Sequence, residues 1–177
     1  MTTSAESSAQ QLATLVHLAT LTHLEGQIRV AKTIQELQFL SVNETRRLVP
    51  YEQAYLLGVD TDGGTAYRVI CASSVAVVER EAPVIRWLEG MTQALRQEQP
   101  GDDPRILTEE SCPEAGREGW HEHVHGHVLW CPLRHPDDTV LGIWWFERES
   151  PWEDNDVAIM QRLAGSFAYA WKAVAQR

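Results

Sequence analysis

Leu15, Leu18, Leu21 and Leu24, then Ile28, Ala31, Ile34, Leu37 and Leu40, recur at three- and four-residue spacing between Gln11 and Val49, with Gln, Arg, Lys and Glu between them. That period predicts a long helix, or two in series, broken at Gly26 and stopped by Pro50, whose ring clashes with the preceding turn. Leucine falls on more than one side of the first piece, Gln11 to Leu24. Two readings stay open: a wide core face, or a subunit interface that makes residues 11–26 a dimerising arm. Residues 1–10, MTTSAESSAQ, read as a low-complexity, disordered tail, and residues 27–177 as the domain proper.

After Pro50 the texture changes to strands at Gln53–Val59 and Thr65–Val78, with Asp60-Thr61-Asp62-Gly63-Gly64 between them as a hairpin turn. Ala82-Pro83 opens a helix, since proline is tolerated at the first helical position, and Val84, Trp87, Leu88, Met91 and Leu95 line one face of it. Asp102–Gly126 reads as a polar loop with at most a short strand at Arg105–Thr108. His127–Leu133 and Thr139–Arg148 are apolar on both alternating faces, which predicts central strands covered on both sides. Ser150 as cap, Pro151 in the first position and Glu153 reaching back predict the start of a last helix, with Met160, Leu163, Phe167, Trp171 and Val174 as its buried stripe. The order gives an α+β class: one antiparallel sheet of five or six strands carrying helices on its faces, with an N-terminal helical arm.

The chain has 177 residues, one domain's worth, and 15 Lys+Arg against 25 Asp+Glu give a net charge of −10. That charge argues against nucleic acid and anionic membrane surfaces as partners. No apolar run is long enough to span a bilayer, so no membrane insertion is expected. The absence of a signal-peptide pattern and three widely spaced cysteines, Cys71, Cys112 and Cys131, predict a reducing, cytoplasmic setting.

The hairpin edge Val140–Phe146, the following Ser150-Pro151-Trp152-Glu153 and the terminal helix Ile159–Ala170 resemble a GAF domain, a sensory, ligand-binding module of profilin-like fold related to PAS. Val42–Tyr51 is similar to the end of the first helix and the start of the first strand in a bacterial GAF subgroup encoded near secretion or efflux adaptor proteins. The resemblance implies a noncatalytic regulatory module that binds a small molecule and acts through a partner, such as a secretion or efflux adaptor, or through a homodimer. The Asn-Lys…Phe…Asp-Glu series of cyclic-nucleotide-binding members is absent, and Cys112 and Cys131 are each followed by proline where bilin-binding members have Cys-His. Free methionine sulfoxide reductases of this fold use three cysteines; here their spacing runs in the reverse order, and only Cys112 lies in an expected loop. Nothing in the sequence names a cofactor.

The resemblance also implies a ligand cavity between one sheet face and its covering helix and loop. Tyr67, Trp87, Trp120, His125, Trp130, Trp144 and Phe146 are the residues expected to ring it, as aromatic walls suit a planar or apolar ligand. The run Trp120–His127 places His121, His123, His125 and His127 at alternate positions. As an extended chain it puts four imidazoles on one side, a chelating arrangement for zinc, nickel or copper. As a helix it matches H-E-x-x-H, with His121 and His125 around Zn²⁺ and Glu122 as base. Gly126 and the following β-branched run disfavour the helix, and solvated or pocket-lining histidines without metal are the third reading.

Overall fold

The computed structural model describes residues 3–59 and 66–176, so the expected turn at 60–64 lies outside the described residues. Ten elements are numbered here: α1 (Ser4–Val30), α2 (Ile34–Asn43), β1 (Gln53–Val59), β2 (Tyr67–Ala72), α3 (Pro83–Glu98), β3 (Arg105–Leu107), α4 (Arg117–His123), β4 (His127–Arg134), β5 (Val140–Arg148) and α5 (Asp154–Ala175). The strands form one antiparallel sheet in the order β2-β1-β5-β4-β3. This is the α+β architecture expected from the element order.

Two apolar layers sandwich the sheet. On one face Ala54, Leu56, Leu129, Cys131, Leu133, Trp144 and Phe146 meet α1, α2 and α5 through Leu24, Ile28, Leu37, Met160, Leu163 and Phe167. On the other, Tyr55, Leu57, Val69, Val128, Trp130, Ile143 and Trp145 meet α3 and α4 through Ile85, Leu88, Met91, Leu95 and Trp120. Covering on both sides is why β4 and β5 are apolar at consecutive positions.

Several local expectations give way to stronger capping. The amino-terminal segment read as a tail is helical from Ser4, because Thr3 and Glu6 form a reciprocal capping box: the Thr3 hydroxyl accepts from the Glu6 N–H at 3.2 Å and the Glu6 carboxylate from the Thr3 N–H at 2.9 Å. Gly26 does not break α1, since one glycine costs a helix only about 1 kcal/mol. The break falls at Ala31–Thr33, where Thr33 caps α2 by accepting from the Glu36 N–H. Leu21, Leu24 and Ile28 of α1 are buried, so α1 joins the core from Leu21 onward. The cap of α5 is Glu153, paired with Asp156, and Ser150 is left outside. Within the expected long loop, Arg117–His123 winds into α4.

Gly126 makes the turn from α4 into β4 at φ +108°, and a Cβ there would lie 2.2 Å from the Arg148 carbonyl oxygen. Both the backbone conformation and the close approach demand glycine. Gly126→Ala is expected to lower the unfolding free energy by about 2 kcal/mol or more, read from a urea denaturation midpoint. An unchanged midpoint would show that the end of β5 can move aside.

Candidate functional site

Side chains alternate along β5. Ile143, Trp145 and Glu147 point toward α3 and α4, while Trp144, Phe146 and Arg148 point toward α5. Trp145 is fully buried, with the rings of Trp87 and Trp120 at 5.9 Å and Trp130 at 6.4 Å, all edge-on. The Trp87 indole N–H donates to the Gly116 carbonyl at 3.0 Å, and Gly119 of α4 has no side chain because its Cβ would strike that indole at 2.1 Å.

These indoles fill the middle of the face that was expected to hold a cavity. Of the seven residues predicted to ring it, Trp87, Trp120 and Trp130 are in this packed cluster, and Tyr67 packs against the same apolar layer. Trp144 and Phe146 lie on the opposite face against α5, where Trp144 meets Phe167 at 5.0 Å, because adjacent strand positions cannot share a face with Trp145. His125 lines an opening.

That opening is a cleft of about 390 Å³ at the end of β5, beside the tryptophan cluster. Strand β1 and the residue before it contribute Glu52, Gln53 and Tyr55; α3 contributes Val84; α4 and the turn after it contribute Glu122, His123 and His125. Glu147 forms its inner wall, opposite Gln53 of β1 and Val128 of β4. The Glu147 side chain accepts from the Trp145 indole N–H at 2.9 Å. Burial pushes the Glu147 carboxyl up to about 7, only partly offset by that hydrogen bond. The Tyr55 hydroxyl is pushed up to about 12, by burial first and by Glu147 second. Sequence reasoning passed over Glu147 as a pocket residue. Its signal was one carboxylate continuing the alternation of Ile143 and Trp145 on an otherwise apolar face.

The histidines do not converge. Helix α4 ends at His123, so His121 and His125 are not one turn apart, and the alternation of an extended chain is lost between His121 and His123. His121 Nε2 lies 2.5 Å from a Glu109 carboxylate oxygen, His123 rests against Trp87 at 5.7 Å, and His127 is exposed at the start of β4. Among the described residues, no group of three or more His, Cys, Asp or Glu side chains is placed to hold a metal ion.

The cysteines are separated as well. Cys112 is buried on the α3 face with its sulfur 3.6 Å from Met91 Sδ, whereas Cys131 is buried on the α5 face. Burial pushes the thiols of Cys71 and Cys131 up to about 12 and that of Cys112 up to about 11, which suppresses the thiolate that redox chemistry needs.

No family model matches the sequence, and neither does any curated protein. Solved structures do match in shape. The chain superposes on the GAF domain of an Acinetobacter phosphoenolpyruvate-protein phosphotransferase with a TM-score of 0.64 at 12% identity, covering 91% of this chain and 96% of that one. The fold is that of a GAF domain. A methyl-accepting chemotaxis protein segment gives a TM-score of 0.65 at 14% identity, covering 90% of this chain and 99% of the other. A bacteriophytochrome from the photosynthetic bacterium R. palustris gives 0.65 at 9% identity, and there the match spans 38% of the longer chain and 90% of this one. Among the described residues no helix is long and apolar enough to cross a membrane.

The buried carboxyl gives this GAF-fold protein a pH signature. Glu147 holds a proton in the folded state between its ordinary value of 4.5 and its raised value of about 7, where the unfolded chain has lost it. Its contribution to stability is therefore complete below about pH 4.5 and is lost as the pH rises through 7. Wild-type stability is expected to fall across that window relative to Glu147→Gln, by on the order of 3 kcal/mol. Urea denaturation at half-unit pH steps checks it, and parallel curves for the two proteins would mean a solvated carboxyl.

Proposed function

We propose that this protein is a noncatalytic sensory or regulatory GAF module, which binds a small molecule in the Glu147 cleft and acts through a homodimer or partner protein assembled on α1. The observation that carries the reading is the opposite orientation of two neighbouring residues. Glu147 faces the cleft, while Arg148 faces the start of α5.

Arg148 is buried and fully engaged. It donates to Asp156 at 2.6 Å and to the carbonyls of Pro151 at 2.6 Å and Ser150 at 3.1 Å, and its guanidinium lies 4.0 Å from the Trp152 ring. Helix α5 packs along α1, with Arg162 paired to Glu25 at 2.7 Å. A ligand that displaces the end of β5 thus has a continuous physical route, through Arg148 and α5, to α1.

The far half of α1 supports an interface. Leu12, Leu15, Val16 and Leu18 are 50 to 64% exposed, whereas Leu21, Leu24 and Ile28 on the same helix are buried. A second α1 covers such a stripe with matching side chains in a closed, two-fold arrangement. The secretion or efflux adaptor implied by Val42–Tyr51 has no counterpart in the structural likenesses. That segment holds the start of β1, through Tyr51 donating to the Val42 carbonyl and Arg46 to the Tyr51 and Glu52 carbonyls.

Light scattering is expected to give a dimer for the wild type and a monomer for Leu15→Glu/Leu18→Glu. Because both positions are exposed, the variant monomer should keep its fold, and its melting temperature should lose the dependence on protein concentration seen in the wild type. Equal masses for the two proteins would place the interface elsewhere. A metabolite screen by thermal shift then separates sensor from scaffold, since a pure dimerisation unit melts unchanged with every compound.

A further inference from the structure

We propose that the Glu147 cleft is a binding site for a small organic cation, a protonated amine or amidine carried on an apolar body. The proposal rests on the ligand-binding reading above and names the chemistry of its ligand.

Three carboxylates line the cleft, Glu52, Glu122 and Glu147, and neither lysine nor arginine is among the lining residues. Glu147 is 5% exposed. Its Oε1 takes the Trp145 N–H, and among the described residues its second oxygen has no hydrogen-bond partner although the side chain borders the cleft. That oxygen is open to the cleft rather than sealed in the protein, and a cationic N–H placed there supplies a short, charge-assisted bond to it. Arg148, on the same strand, shows the contrast: its guanidinium finds a carboxylate, backbone carbonyls and an indole face within the protein.

The rest of the lining selects the class of cation. Tyr55 and Val84 offer an aromatic and an aliphatic wall for an apolar body, and the Tyr55 hydroxyl stays protonated at any physiological pH. The carboxylates are not gathered into a coordination sphere, so a bare divalent ion is not the ligand they suit. An anion would meet three carboxylates on a protein of net charge −10. The cleft, at about 390 Å³, matches a molecule with one ring or a short chain.

The cleft also sets a pH dependence. A cation needs Glu147 ionised, so acidification opposes its binding there; Glu52, Glu122, His123 and His125 face the same space. The affinity of a probe that stays charged should therefore rise with pH, and the Glu147→Gln variant should lose most of that rise.

The test compares benzamidinium, benzyl alcohol and benzoate, similar rings of different charge, on the full chain at pH 7.5 by calorimetry and by amide shifts of Gln53–Leu57 and His123–His125. Benzamidinium is expected to bind at least tenfold more tightly than the other two. Glu147→Gln is expected to weaken it tenfold or more, and Glu122→Gln, an exposed rim change that leaves folding intact, two- to threefold. Benzamidinium affinity should rise at least fivefold from pH 5.5 to 8. Binding of benzyl alcohol or benzoate at the same amides with equal affinity would overturn the cation assignment and leave the ligand site standing. Silence of those amides toward all three probes would count against both. Were Glu147→Gln to melt, an unchanged affinity in Glu122→Gln together with a flat pH profile would overturn the proposal.

Discussion

Strand β5 lies at the centre of the five-stranded sheet, between β1 and β4, and from Gly142 to Arg148 every residue on it is buried. Both layers of the molecule are built on its alternation. Trp144 and Phe146 seat α5, Trp145 gathers Trp87, Trp120 and Trp130, and the two charged residues at its end divide between the same two faces. Large rings on both sides leave no room for a change of register, because a slip by one residue would exchange the two faces.

The charges at the end of β5 are unequal in satisfaction. Arg148 is held by several oxygens and an aromatic face, which makes its burial tolerable and anchors the first turn of α5. Glu147 has one indole N–H against the cost of leaving water, and its raised pKa expresses that imbalance. A pair of isosteric apolar residues would pack here without this penalty. A buried carboxyl on the inner wall of a cleft, beside a filled aromatic core, is the feature that separates the candidate site from the packing around it.

Filling of the expected cavity by indoles also moves the functional reading. Trp87, Trp120 and Trp130 each meet Trp145 edge-on and close the middle of this face, and the cleft lies at the end of the sheet, where Gly126 lets the chain turn sharply against the Arg148 carbonyl. His123 and His125 reach this space as parts of a short helix end and its following turn, in positions that neither an extended strand nor a longer helix would provide.

Much of the architecture was legible in the chain itself. Period and proline placement marked β1, α3 and α5, and the doubly apolar runs marked β4 and β5 as central, because burial on both faces of a strand leaves no polar alternation. The helical start at Ser4 was also written locally, in the Thr3–Glu6 capping box, although the polar composition around it masked the signal. Other features depend on partners distant in sequence. Trp144 and Trp145 are adjacent in sequence and alike in chemistry, and only the register of β5 against β1 and β4 assigns them to different faces. Glu147 becomes a site residue because Gln53, Tyr55, Val84 and His125 are brought around it from three other segments of the chain. The alternating histidines lost their common side when Trp120 docked against Trp87 and Trp145, since burial of that indole is worth more than the extended conformation the alternation suggested.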